Sequence, residues 1–234
     1  GMTGAMTTKL VINYWWILIL LFLPSHIYAG EGESETYHIL QKGFILVEGS
    51  TNFFKFTGKS LHHTGKLEEN EAGLYSGHVI LRFDQIGFQF PAVDSVLKDP
   101  GYLDTETYPS IEITLDHFDP HRKPPYVKGV LDLHGTQKKI QIQIDLFDIS
   151  PIVKATGQFD INLDDFRVRP YKSGLLEIEN RLNISFQLFF CETHTGISDD
   201  HLIIDPILRK LLTQENIIIL SQPGYFGCAE LKKK

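Results

Sequence analysis

The stretch Ile140-Gln141-Ile142-Gln143-Ile144-Asp145-Leu146 decides how this chain folds. Its apolar residues occupy every second position, so in an extended backbone they share one face, while Gln141, Gln143 and Asp145 share the other. Just upstream, His134-Gly135-Thr136-Gln137 separates this run from Leu131-Asp132-Leu133 and reads as a tight hairpin connection. The same two-residue rhythm recurs outward in both directions: Phe54/Phe56, Val79/Leu81/Phe83, Ile111/Ile113/Leu115, Phe159/Ile161/Leu163 and Leu182/Ile184/Phe186/Leu188/Phe190. At least seven strands follow from this pattern.

Glycines at 43, 58, 65, 73, 77, 157 and 174 punctuate the strands, and Pro120, Pro124 and Pro125 mark a longer loop. The exception is Pro91 to Asp99, where Val93, Val96 and Leu97 have helical spacing and a short helix crossing one end of the sheet is expected. Many antiparallel strands, each with one apolar face, are best satisfied by rolling the sheet until those faces share an interior, which also removes exposed edges. The expectation is an all-β antiparallel barrel of about eight strands. At that size the interior is either filled by side chains or able to hold one small, elongated ligand.

Upstream of the barrel, Leu10 to Leu23 is an apolar run interrupted only by Asn13, preceded by Lys9 and followed by Pro24, Ser25 and Ile27-Tyr28-Ala29. That order of parts is a secretory signal with cleavage after Ala29. A retained anchor is the competing reading, but the run falls short of the roughly 20 residues a bilayer needs. Gly1 reads as a cloning residue. Residues 1–29 are thus expected to be the signal peptide, 30–190 the barrel domain and 191–234 a C-terminal extension. The expected compartment is outside the cytoplasm.

Removing the signal leaves 205 residues with 21 basic against 29 acidic side chains, and the one dense basic run is Lys232-Lys233-Lys234. Nucleic acid is therefore excluded as an expected partner. Both methionines and both tryptophans leave with the signal, so Phe, Tyr, Ile and Leu must build any pocket. Cys191 and Cys228 are the only cysteines, and a lone pair in an exported chain is expected to form a disulfide. After Cys191, Asp205 is a candidate N-cap, Pro206 starts a short amphipathic helix through Leu211 and Leu212, and Ile217 to Leu220 form a brief strand. Pinned by the disulfide, this tail is expected to cover one opening or edge of the barrel.

Three blocks carry a family resemblance. Tyr102-Leu103-Asp104-Thr105-Glu106-Thr107-Tyr108-Pro109-Ser110-Ile111 resembles the "D-x-x-x-Y-P-x-I" signature of the YceI-like family. Lys128 to Ile140 resembles its hairpin, with His134-Gly135-Thr136 at the turn, and Phe159-Asp160-Ile161-Asn162-Leu163-Asp164-Asp165-Phe166 is similar to its late "F-x-I-N-x-x-D-F" stretch. The resemblance spans about residues 36 to 190. It implies an extended lipocalin-like barrel whose apolar lumen binds a polyisoprenoid or related amphiphile, and a bacterial periplasm as the compartment of export, and it brings no general catalytic constellation.

The residues expected to line such a lumen are Phe54, Phe56, Leu81, Phe83, Ile111, Ile113, Leu131, Leu133, Ile142, Ile144, Phe159, Ile161, Ile184 and Phe186. Each would serve equally as ordinary core. Arg167, Arg169 and Tyr171 could meet a phosphate or hydroxyl head group, although a surface basic patch is the commoner meaning of such a run.

Other chemistry is thin. His117 and His121 flank prolines in a loop rather than sharing a helix face, so no metal site is expected there. His62-His63 reads as a solvated loop pair and His134 as a structural residue of the hairpin. Asp164-Asp165 and Glu177 with Glu179 lack a nucleophile and base at catalytic spacing, and Asn183-Ile184-Ser185 is a glycosylation sequon inside a strand. The chain is not expected to be an enzyme and requires no cofactor. The expected function is binding, carrying or sequestering an isoprenoid-like lipid, with a quinone-like lipid as a further ligand and an encounter with the membrane surface as part of the work. The alternatives are a filled structural or interaction barrel of the cell envelope and an enzyme acting on a bound lipid.

Overall fold

The run from Thr136 to Ile149 is a single strand, β8, and it forms a hairpin with β7 (Tyr126–Leu133) through His134-Gly135. Both turn residues have positive φ, 51° and 66°, as a two-residue hairpin of this twist demands, and glycine takes the second position without strain. The computed structural model describes residues 34–60, 62–149, 151–192, 194–195, 206–215, 217–222 and 225–230. The expected signal segment, its cleavage site and Asp205 lie outside the described residues.

The remaining barrel strands are β1 (Glu35–Ser50), β3 (His63–Glu69), β4 (Tyr75–Arg82), β6 (Ser110–Phe118), β9 (Ile152–Asn162) and β12 (Arg181–Glu192). They pair antiparallel in the order β12-β9-β8-β7-β6-β4-β3-β1, and β1 pairs with β12 again, so eight strands close on themselves. This is the all-β barrel expected from the alternation. β1 is long enough to pair twice on one side: Glu35 to His38 run along β3, and Ile45 to Ser50 run along β2 (Lys55–Ser60), which carries the short β5 (Gly87–Phe88). The register of β1 against β12 shifts between Ile39 and Gly43, and Gly43 has φ +93° at that irregularity. A side chain there would sit 2.0 Å from the carbonyl oxygen of Gln187.

One end of the barrel, here the lower end, holds the β7–β8 turn and is filled by helix α1 (Pro91–Lys98) and its flanks. Pro91 begins the helix, where its missing N–H costs nothing, and Val93 and Leu97 point inward. Phe56, Phe83, Phe88, Tyr102, Leu103 and Phe166 complete that plug. Small β10 (Tyr171–Ser173) and β11 (Leu176–Ile178) pair with each other beside it. The upper end holds the β3–β4 and β8–β9 turns, the start of β1 and the end of β12.

The chain after the barrel adds β13 (His194–Thr195), helix α2 (Pro206–Glu215), β14 (Ile217–Gln222) and β15 (Tyr225–Glu230), the three strands forming a separate sheet. Cys191 and Cys228 are joined by a disulfide, with Cα atoms 6.1 Å apart. Leu211 and Ile217 pack with Ile152, Phe189 and Cys191 into a second, smaller core. Phe189 and Ile152 are residues whose neighbours Phe190 and Val153 face the main core, so this second core lies on the outer side of β9 and β12. The extension thus covers a wall of the barrel.

Candidate functional site

The alternating apolar residues meet in a narrow lumen on the barrel axis. Ten of its lining residues come from two adjacent strand pairs: Val79 and Leu81 of β4 with Ile111, Ile113 and Leu115 of β6, and Ile142, Ile144 and Leu146 of β8 with Phe159 and Ile161 of β9. Ile184, Phe186, Leu188 and Phe190 of β12, Ile45 of β1 and Leu67 of β3 close the circle. Every lining side chain is hydrocarbon. Three small residues hold the space open: Gly77, where a Cβ would approach Leu67 to 2.9 Å, Ala155, and beside them Gly157, where a Cβ would press on the Phe186 ring at 2.5 Å.

The lumen is a slot. About 700 Å³ lies between its walls when the space up to its openings is counted, but a water-sized sphere can move its centre through only about 50 Å³. The smaller figure is the one to set against the roughly 10–15 Å³ that a single water requires and the roughly 300–1,000 Å³ of sites for drug-sized ligands. A dry channel of that width excludes polar groups. A thin hydrocarbon tail would fit only if Phe, Leu and Ile side chains of the wall changed rotamer.

Nine of the expected lining residues are in the wall: Leu81, Ile111, Ile113, Ile142, Ile144, Phe159, Ile161, Ile184 and Phe186. Five are elsewhere. Phe56 and Phe83 pack on Phe88 in the lower plug, with ring centroids 5.9 Å apart in both pairs, and Leu131 and Leu133 are buried in the main core without lining the channel. Phe54 is exposed at the lower end, edge-on to Phe90 at 4.9 Å. Arg167 and Arg169 are exposed and Tyr171 packs against Tyr102 at 6.1 Å, so none of this trio lines the lumen. Arg167 serves the backbone instead, in the left-handed conformation that ends the 3₁₀ turn Leu163–Phe166.

His63 corrects the expectation of a solvated pair. It starts β3, is 1% exposed, and its Nε2 lies 3.0 Å from the carbonyl oxygen of Leu40. His62 is exposed. His134 packs on the ring of Tyr108 at 4.6 Å, and Asn183 of the sequon donates to Asp160.

The upper end is closed by polar groups. The Tyr75 hydroxyl lies 2.8 Å from Glu69 Oε2 and 2.7 Å from Asp148 Oδ2, and the Tyr37 hydroxyl donates to Glu35 at 2.8 Å. β4 and β8 are three strands apart around the barrel, so the Tyr75–Asp148 contact spans the mouth. Beneath it Phe118, a lining residue, packs against Tyr75 with centroids 6.2 Å apart. Burial, then the hydrogen bonds to Asp148 and Glu69, push the Tyr75 phenol well above its ordinary range. Burial and Glu35 do the same to Tyr37. Neither hydroxyl ionises at physiological pH, and each holds its proton as a donor.

Known proteins can now be set beside this geometry. The family model of the YceI-like domain matches residues 38–190. The chain belongs to the YceI-like family. Its YceI-like domain has the fold of two solved structures: BcnA of Burkholderia cenocepacia, at 13% identity and a TM-score of 0.54, and a polyisoprenoid binding domain from Saccharophagus degradans implicated in plant cell wall breakdown, at 16% and 0.53. The first likeness covers 63% of this chain and 95% of BcnA, and the second 67% and 98%. No curated protein matches the sequence. The chain from Cys191 onward falls outside the family match.

Proposed function

We propose that this protein binds, carries or sequesters an isoprenoid-like or quinone-like lipid whose tail lies in the lumen, and that it does so after export to a bacterial periplasm. The observation that carries the reading is the all-hydrocarbon wall, unbroken from Leu81 and Ile161 at the lower end to Phe118 and Phe190 at the upper. Each methylene taken from water into such a channel contributes roughly 0.8 kcal/mol, so a tail of several isoprene units binds firmly without polar contacts. The name of the Saccharophagus domain, which has the same fold, supports a polyisoprenoid as ligand. The disulfide supports an oxidising compartment.

Native mass spectrometry of protein produced with its own leader tests the reading. The expected result is a co-purified mass of several hundred daltons that is lost in Ile142→Trp, which fills the channel. Repeated recovery of the wild type without any bound lipid, including after incubation with a C40 prenol, overturns it. The narrowness of the slot favours the filled structural barrel as the second reading, and that outcome would establish it. In the same spectra the mature chain is expected to begin at Gly30.

A further inference from the structure

The lumen needs an entrance, and both ends of the barrel are obstructed: the lower by α1 and its aromatic plug, the upper by Tyr75 and its carboxylate partners. The side wall has a gap. β6 and β7 are paired only from Glu112–Leu115 to Gly129–Asp132. Beyond Leu115 the two strands part, since β6 remains with β4 as far as Phe118 opposite Tyr75, and β7 remains with β8 as Tyr126 and Val127 pair with Gln143 and Ile142. The loop from Asp119 to Pro125 spans the space between them. The resulting cleft has a volume of about 460 Å³, against about 50 Å³ for the lumen. Its floor is Phe118 and Ile144, and both residues also line the lumen.

The rim of this cleft is charged in a particular way. Asp116 accepts a hydrogen bond from the His117 ring and Asp119 accepts the backbone N–H of His121, so both carboxylates are engaged locally. Arg122, Lys123 and Lys128 are exposed, line the cleft, and form no ion pair among the described residues. Two ammonium groups and a guanidinium fork around a cleft with an apolar floor match one chemistry, a phosphate or carboxylate joined to a hydrocarbon tail.

We propose that the β6–β7 cleft is a lateral portal to the lumen, that Phe118 and Ile144 are the residues a tail must pass, and that Arg122, Lys123 and Lys128 hold the anionic head group outside. The proposal rests on the lumen being the lipid site. It sets the head group apart from Arg167, Arg169 and Tyr171, which follow β9 at the lower end.

The test compares three probes on the full protein: farnesyl diphosphate, farnesol and inorganic pyrophosphate, titrated into the wild type, Ile142→Trp, and the triple variant Arg122→Ala/Lys123→Ala/Lys128→Ala. The three positions are exposed, so the variant keeps the fold, checked by near-ultraviolet circular dichroism. The expected outcome is at least a tenfold weaker affinity of the triple variant for farnesyl diphosphate, with farnesol changed less than twofold and pyrophosphate bound far more weakly than either. Equal losses for farnesol and its diphosphate, or no loss for either, overturn the portal while Ile142→Trp still reports on the lumen. Pyrophosphate binding as tightly as farnesyl diphosphate identifies a free-anion site and also overturns it. If Ile142→Trp leaves farnesol binding intact, the lumen reading itself fails. A benzophenone placed on the diphosphate should label Tyr126 on light exposure, and labelling of Tyr37 instead places the head at the axial mouth and refutes the lateral route.

Discussion

Tyr75 shows how much one atom can hold. Its hydroxyl has a single proton to give, and it sits between carboxylates from β3 and β8. Tyr75→Phe keeps the ring against Phe118 and removes that link, at an expected cost of about 2 kcal/mol, because a hydrogen bond to a charged group is worth roughly 1.5–3 kcal/mol. The raised phenol also fixes a pH signature. A group whose proton is held more tightly in the folded chain contributes stability that is complete below the ordinary tyrosine value near 10 and is lost as pH rises toward the folded value. Urea unfolding of the wild type should therefore weaken steadily from pH 10 upward, and less steeply in Tyr75→Phe. At this scale the sequence was only partly legible. Alternation marks Phe56 and Phe83 as inward but cannot say whether inward means channel or plug, and both belong to the plug. Leu67 lines the channel from the run His63–Glu69, where polar residues dominate and one leucine makes no pattern. The phase of that same strand carries His63 inside, a signal hidden by its polar neighbours.

Among the elements, the β7–β8 hairpin was readable because turn chemistry and alternation agree. Gly135→Val should cost a few kcal/mol, since φ +66° is hostile to a β-branched residue and a Cβ would meet Tyr108 at 2.9 Å. A lowered midpoint in chemical unfolding checks it. The double status of β1 was not readable, because nothing in its composition says that one strand serves two partners on the same side. The extension makes a separate prediction. Cys191→Ser/Cys228→Ser releases a loop of separation 37, and the chain-entropy model gives a loss on the order of 4 kcal/mol. Leu211→Ala, in the small outer core, should destabilise by about 2–3 kcal/mol. If the extension only braces a wall, both variants unfold more easily yet retain lipid, as native mass spectrometry would show.

For the molecule as a whole, closure depends on partners far apart in sequence: Val47 of β1 meets Ile184 of β12, and the other six barrel strands lie between these two in the chain. The hairpins from β6 to β9 are local and can form early, but the ring cannot shut until Arg181 to Glu192 arrives. Until then the long β1 and β9 present open edges with apolar faces. A chain ending before Arg181 is thus expected to aggregate rather than settle into a smaller barrel, measurable as light scattering on refolding. The strand that completes the ring also carries Cys191, so its oxidation with Cys228 bolts the extension to the last strand to arrive, on the outer face of the wall that closure creates.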